Sequence, residues 1–91
     1  MNITNVKIRK TFEEGPLKAI VSVTFEDCLA VHDIKVVEAK SKTFIIMPSV
    51  KMESGFFRDT VHPTTAAFRA QLEEAVFEEL EKHKALEEIS E

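Results

Sequence analysis

Ninety-one residues with 44% hydrophobic side chains, seven Phe and no Trp or Tyr describe one small globular domain and exclude a disordered or fibrous chain. No run approaches the roughly 18 apolar residues of a membrane helix, and the start MNITNVKIRK lacks a signal-peptide core, so the reading expects a cytoplasmic protein without membrane contact. Net charge is −4 but unevenly spread: residues 1–51 carry eight basic against six acidic side chains and residues 52–91 carry four against ten, which directs the search for a basic patch to the first half.

Val6 and Ile8 alternate with Lys7 and Arg9, the period-two pattern of a strand with one buried face, predicted over about residues 2–11. Glu13, Glu14, Gly15 and Pro16 supply a turn, because glycine accepts positive φ and proline restricts the residue before it. A second strand, about 16–26, places Leu17, Ala19, Val21, Val23 and Phe25 on one face. In the third, about 29–38, strict alternation groups Ala30, Ile34 and Val36 against Leu29, Val31 and Val37, so both faces are apolar. The fourth runs over about 43–47 and stops at Pro48, which lacks a ladder donor. A loop from Ser49 to Gly55 then leads to a shorter fifth strand over about 56–61.

Pro63 keeps His62 out of helical geometry, and Thr64 or Thr65 can cap the helix that follows over about 65–88. Phe68, Leu72, Ala75, Val76, Leu80 and His83 recur at spacings of three and four, whereas Phe77 lies about 180° from Phe68 at 100° per residue and marks a second contact. Residues 87–91 are expected to fray. The fold class expected is therefore α+β: an antiparallel β-meander of four to five strands followed by one long C-terminal amphipathic α-helix, forming one domain over residues 1–91. One helix covers one sheet face, which leaves Ile20, Val31 and Val37 on the other and predicts self-association, face to face or through open edges.

Candidate chemistry is sparse. Cys28, His32 and Asp33 resemble a nucleophile, base and orienting acid, but on a strand Cys28 and His32 stand about 13 Å apart and Asp33 faces away from His32. A partly buried histidine and a core thiol explain them better. His32, His62, Asp33 and Asp59 lack the close pairing of a metal site, and Gly15 and Gly55 alone cannot build a phosphate loop. Neither enzymatic activity nor a cofactor is expected. Exposed Lys7, Arg9 and Lys35, with Lys51 and Arg58 flanking a loop, suit phosphate contacts, while the helix region from Thr64 carries eight glutamates against three cations and suits nucleic acid only near Arg69. Phe56 and Phe57 are the one candidate stacking pair.

The segments NVKIRK, AVHDIKVVE, MPS and GFFRDTVHP, followed by Phe68, Arg69 and EEAVFEELE, together resemble the bacterial sporulation stage V protein G family, SpoVG. The resemblance covers residues 1 to about 83. It implies a homodimeric regulator of septation and sporulation that binds DNA or RNA, with sheet strands in the dimer contact. By position, Arg58 and Arg69 fall in matching motif segments, and Lys7, Arg9, Lys35 and Lys51 match positions that are often basic. The chain departs from that picture in its more acidic helix and tail. The alternative is a protein-interaction module in cell division, docking protein partners through Phe77, Leu86 and Ile89.

Overall fold

The computed structural model describes the backbone of residues 1–89 and the side chains of residues 1–85. Four strands, β1 (Ile3–Thr11), β2 (Leu17–Phe25), β3 (Leu29–Ala39) and β4 (Lys42–Ile46), form an antiparallel meander in chain order. A separate two-stranded ribbon follows, β5 (Ser49–Lys51) with β6 (Phe57–Asp59), and then the helix α1 (Ala66–Ile89). The α+β meander with one C-terminal helix is thus the observed architecture. Two details differ from expectation. Ser49–Lys51 is a strand rather than a loop, and the segment near Phe57 pairs with it instead of joining the meander.

Short connections explain the order. Glu26 and Asp27, at φ 52° and 55°, and Lys40 and Ser41, at φ 52° and 66°, each turn the chain with two successive left-handed residues. That is the geometry whose twist matches an antiparallel hairpin. The first of these turns is fastened to the start of β1: Glu26 Oε1 accepts from the Asn2 amide at 2.7 Å, and the Asp27 amide donates to Thr4 Oγ1 at 3.0 Å.

The core lies between α1 and one face of the sheet. Ala19, Val21, Val23 and Phe25 of β2, Val31, Ile34 and Val36 of β3 and Ile45 of β4 meet Leu72, Val76 and Leu80, all buried. Thr65 caps the helix, its Oγ1 accepting from the Phe68 amide at 3.1 Å. Phe68 and Phe77 both pack on this core, as the two flanks of a stripe about 180° wide. Phe77 therefore belongs to the sheet contact rather than to a second one. Of the fraying expected over residues 87–91, residues 87–89 are instead helical backbone, and residues 90–91 lie outside the described residues.

Val31 is the informative correction. Strict alternation sends it to the uncovered face, yet it is buried beside Ile34 and Val36. Between Val21 and Val23 the register against β3 slips, so that Ser22 stands opposite two residues, His32 and Asp33. Asp33 sits at φ 63°. This bulge reverses the parity of the strand, and Asp is among the few residues that tolerate left-handed backbone. Ile20 and Val37 do lie away from the core, half-buried, in company with Phe44 and exposed Ile46.

Candidate nucleic-acid interface

The face of the sheet opposite α1 gathers four of the eight first-half cations. Lys7 alternates with core-packed Val6 and Ile8 and stands opposite Ser22. Lys10, Ile20, Lys35 and Ile46 then form one cross-strand row through all four strands. Adjacent strands lie about 4.8 Å apart, so Lys10 and Lys35 are separated by roughly 10 Å, close to one Debye length at physiological salt. Arg9 is the extra residue of a bulge in β1, where the register slips between Ile8 and Lys10. It lines a hollow with Lys10, Ile20, Ser22, His32 and Asp33. The Lys10 ammonium lies 5.1 Å from the centre of the Phe12 ring.

These four cations face one carboxylate, Asp33, on this side of the sheet. The glutamates of α1 lie across the core from them, Glu74, Glu78 and Glu81 exposed on the helix. The sheet thus works as a partition between a cationic and an acidic surface. Among the described residues one ion pair is formed, Lys82 with Glu78 on the helix at 3.8 Å. Lys7, Arg9, Lys10 and Lys35 are therefore not neutralised by carboxylate partners.

Lys51 and Arg58 sit apart from this face on the β5–β6 ribbon, Lys51 opposite Phe57 and Val50 opposite Arg58. Both are exposed. Phe56 and Phe57 beside them are 76% and 71% exposed, more open than any other large apolar side chain described. The ribbon is braced at its base by Thr60, whose amide and hydroxyl both donate to the Pro48 carbonyl, at 2.9 and 3.1 Å.

Arg69 has different surroundings. Its side chain is half-buried, and Nη2 donates to the Ile45 carbonyl at 2.9 Å, joining the first turns of α1 to β4. That bond occupies one edge of the guanidinium and fixes its direction. Phe77 is committed to the core, and Leu86 and Ile89 lie outside the residues whose side chains are described, so the docking triplet expected on α1 loses its one describable member.

The remaining chemistry resolves simply. Cys28 is exposed in the turn after β2 and is not a core filler. His32 is exposed as well, but its ring is held: Ser22 Oγ and His32 Nδ1 are 2.9 Å apart. Sequence reasoning overlooked Ser22, the one buried polar residue among those described, at 8% exposure. Its signal was its place, a hydroxyl between Val21 and Val23 in the run Ala19–Val23, which is otherwise apolar. His62 lines a mostly apolar groove with Val61, Pro63, Phe68 and Leu72 near Met1. Among the described residues no three His, Cys, Asp or Glu side chains converge as metal ligands, and no helix is long and apolar enough to cross a membrane.

Comparison with known proteins places this arrangement. The SpoVG family model matches residues 1–82. A protein of Alkaliphilus oremlandii named "Putative septation protein SpoVG" is 50% identical over 88 residues, covering 97% of this chain and 95% of its own. A Clostridium perfringens protein of the same name is 52% identical over 87 residues, with 96% and 97% covered, and one from Desulforudis audaxviator is 47% identical over 87 residues, with 96% and 99% covered. With the family model spanning all four meander strands, the ribbon and most of α1, and half of all positions shared along nearly the whole chain, this protein belongs to the SpoVG family.

Proposed function

We propose that the protein is a cytoplasmic, non-enzymatic regulator that binds DNA or RNA through the open face of its sheet and acts as a homodimer in septation. The observation that carries this reading is the partition: Lys7, Arg9, Lys10 and Lys35 share a face from which the helix glutamates are excluded. Net charge of −4 then ceases to be an objection, since a polyanion meets the local field and not the total. Lys51 and Arg58 extend the surface along the ribbon, and Arg69 contributes chiefly by holding α1 to β4. Septation enters through the names of the relatives.

A homodimer is supported by the apolar side chains left open on β4 and the ribbon. Ile46, Val50, Met52, Phe56 and Phe57 are all exposed, and a ribbon of two three-residue strands is marginal unless something covers it. Two copies joined there bury these groups, including the Ile46 end of the cross-strand row, and leave Lys7, Arg9 and Lys10 on β1, at the opposite edge of the sheet, free in each.

The test is a binding titration by fluorescence anisotropy against random pools of single-stranded RNA, single-stranded DNA and duplex DNA at low salt. Log affinity should fall linearly with log salt, by about 0.7 to 0.9 per neutralised phosphate. A variant with Lys7, Arg9 and Lys35 all replaced by Glu should abolish binding while keeping the native fold. Absence of binding to every pool at low salt refutes the reading.

A further inference from the structure

Two bulges in neighbouring strands frame one spot on the open face. The extra residue of β1, Arg9, follows Ile8, and the extra residue of β3 precedes Ile34; both Ile8 and Ile34 stand opposite Val21. Bulges re-aim side chains and cluster beside functional sites. Here they turn Arg9, Lys10, His32 and Asp33 around a single hollow of about 700 Å³ whose floor is Ile20 and Ser22. Arg9 and Asp33 share that hollow without pairing, since the one ion pair among the described residues lies on α1.

We infer that this hollow is a phosphate seat, the point at which one phosphodiester group of the bound nucleic acid is fixed rather than merely attracted. The inference rests on the nucleic-acid reading above for the identity of its ligand. Arg9 supplies a planar fork of donors suited to two phosphate oxygens. His32 supplies a directed one. When the buried Ser22 hydroxyl donates to Nδ1, the neutral ring carries its proton on Nε2, which becomes a donor for an anion in the hollow. Ser22 is thus a positioning residue, acting on the ligand through the tautomer and orientation of His32. The charged groups about the ring are Lys7, Arg9 and Lys10 from β1 and Asp33 from β3, while β2 offers only uncharged Ile20 and Ser22. Asp33 opposes a bare phosphate and sets a limit on its affinity.

The experiment is an NMR titration of the intact protein with inorganic phosphate, against chloride at matched ionic strength, observing the His32 ring, the Arg9 Nε–H and the Ser22 amide. Shifts concentrated on these three are expected, with Asp33→Asn binding phosphate several-fold tighter. The same variants are then tested on labelled RNA and DNA oligonucleotides of one sequence. Arg9→Ala and His32→Ala should each weaken binding roughly tenfold, the loss expected for one charge-assisted or well-directed bond. His32→Gln should recover part of it through its amide donor. Ser22→Ala should weaken binding less and leave the remaining His32 response smaller. Equal shifts at every lysine, or oligonucleotide affinity indifferent to His32 and Ser22 while Lys7→Ala still weakens it, overturns the seat and leaves the broader function standing. Focused phosphate shifts in a protein that binds no oligonucleotide support the seat and refute the nucleic-acid reading.

Discussion

Replacing Arg69 by alanine separates two roles that a basic residue at the start of α1 can play. Its Nη2 donates to the Ile45 carbonyl at 2.9 Å, and the half-buried stem lies between α1 and β4, which has no strand neighbour on its outer side. A hydrogen bond made by a charged donor contributes about 1.5–3 kcal/mol, and losing it leaves a backbone acceptor at a buried residue without that partner. Arg69→Ala should therefore cost about 2 kcal/mol. For a domain of this size each kcal/mol moves Tm by about 4–8 °C, so a fall of roughly 8–16 °C is expected. Arg69→Lys, which keeps the charge but lacks the fork, should recover only part of it. Urea and thermal unfolding at one fixed protein concentration give the measurement, because a dimer makes apparent stability depend on concentration. If Arg69→Ala unfolds within about 0.5 kcal/mol of the native protein and instead weakens oligonucleotide binding as much as Arg9→Ala, the structural assignment of Arg69 is wrong.

The other expectations concern the core, the turns and the ribbon. Leu72→Ala, at a fully buried position of α1 against the sheet, should cost about 2–5 kcal/mol in denaturant unfolding. Thr65→Ala should cost about 1 kcal/mol by removing the acceptor for the Phe68 amide. Asp27→Gly and Ser41→Gly, both at positive φ, should leave stability unchanged or raise it by up to about 1 kcal/mol, and a clear loss at either would show that the turn geometry is misassigned. Phe56→Ser with Phe57→Ser should shift the dimer to monomer by light scattering while circular dichroism at equal concentration stays native, since neither ring packs on the core.

How much of this was legible before any coordinates depends on the length over which a pattern repeats. The meander, the helix and its cap could be read because β2 and α1 each repeat their apolar spacing over many residues. The face of Val31 could not, because one inserted residue inverts a two-residue period, and Asp33 looks like any polar strand residue until its φ is known. A trace was nonetheless present: Val31, Ile34 and Val36 are spaced three and then two, which alternation does not produce but a bulge does. The β5 strand escaped notice because three residues, Ser49–Lys51, are too few to show any period. Of the six proposed contacts, Lys7 and Lys35 share a face because register puts them there and Arg9 joins them through a bulge, whereas Lys51 and Arg58 stand on the ribbon and Arg69 reaches a backbone carbonyl. No spacing rule distinguishes those fates, since each depends on which strand lies alongside.

A four-stranded sheet with Lys7, Arg9, Lys10 and Lys35 on one side and the glutamate-rich helix on the other makes the molecule an electric dipole. Its isoelectric point, near 5.4, is then a poor guide to chromatography. The protein should be retained by a cation exchanger at neutral pH despite its negative total, presenting the strands to the resin and the helix to the buffer, and by an anion exchanger in the reverse pose. The same torque would turn the protein as it nears any highly charged polymer, so that most encounters begin with the correct side leading.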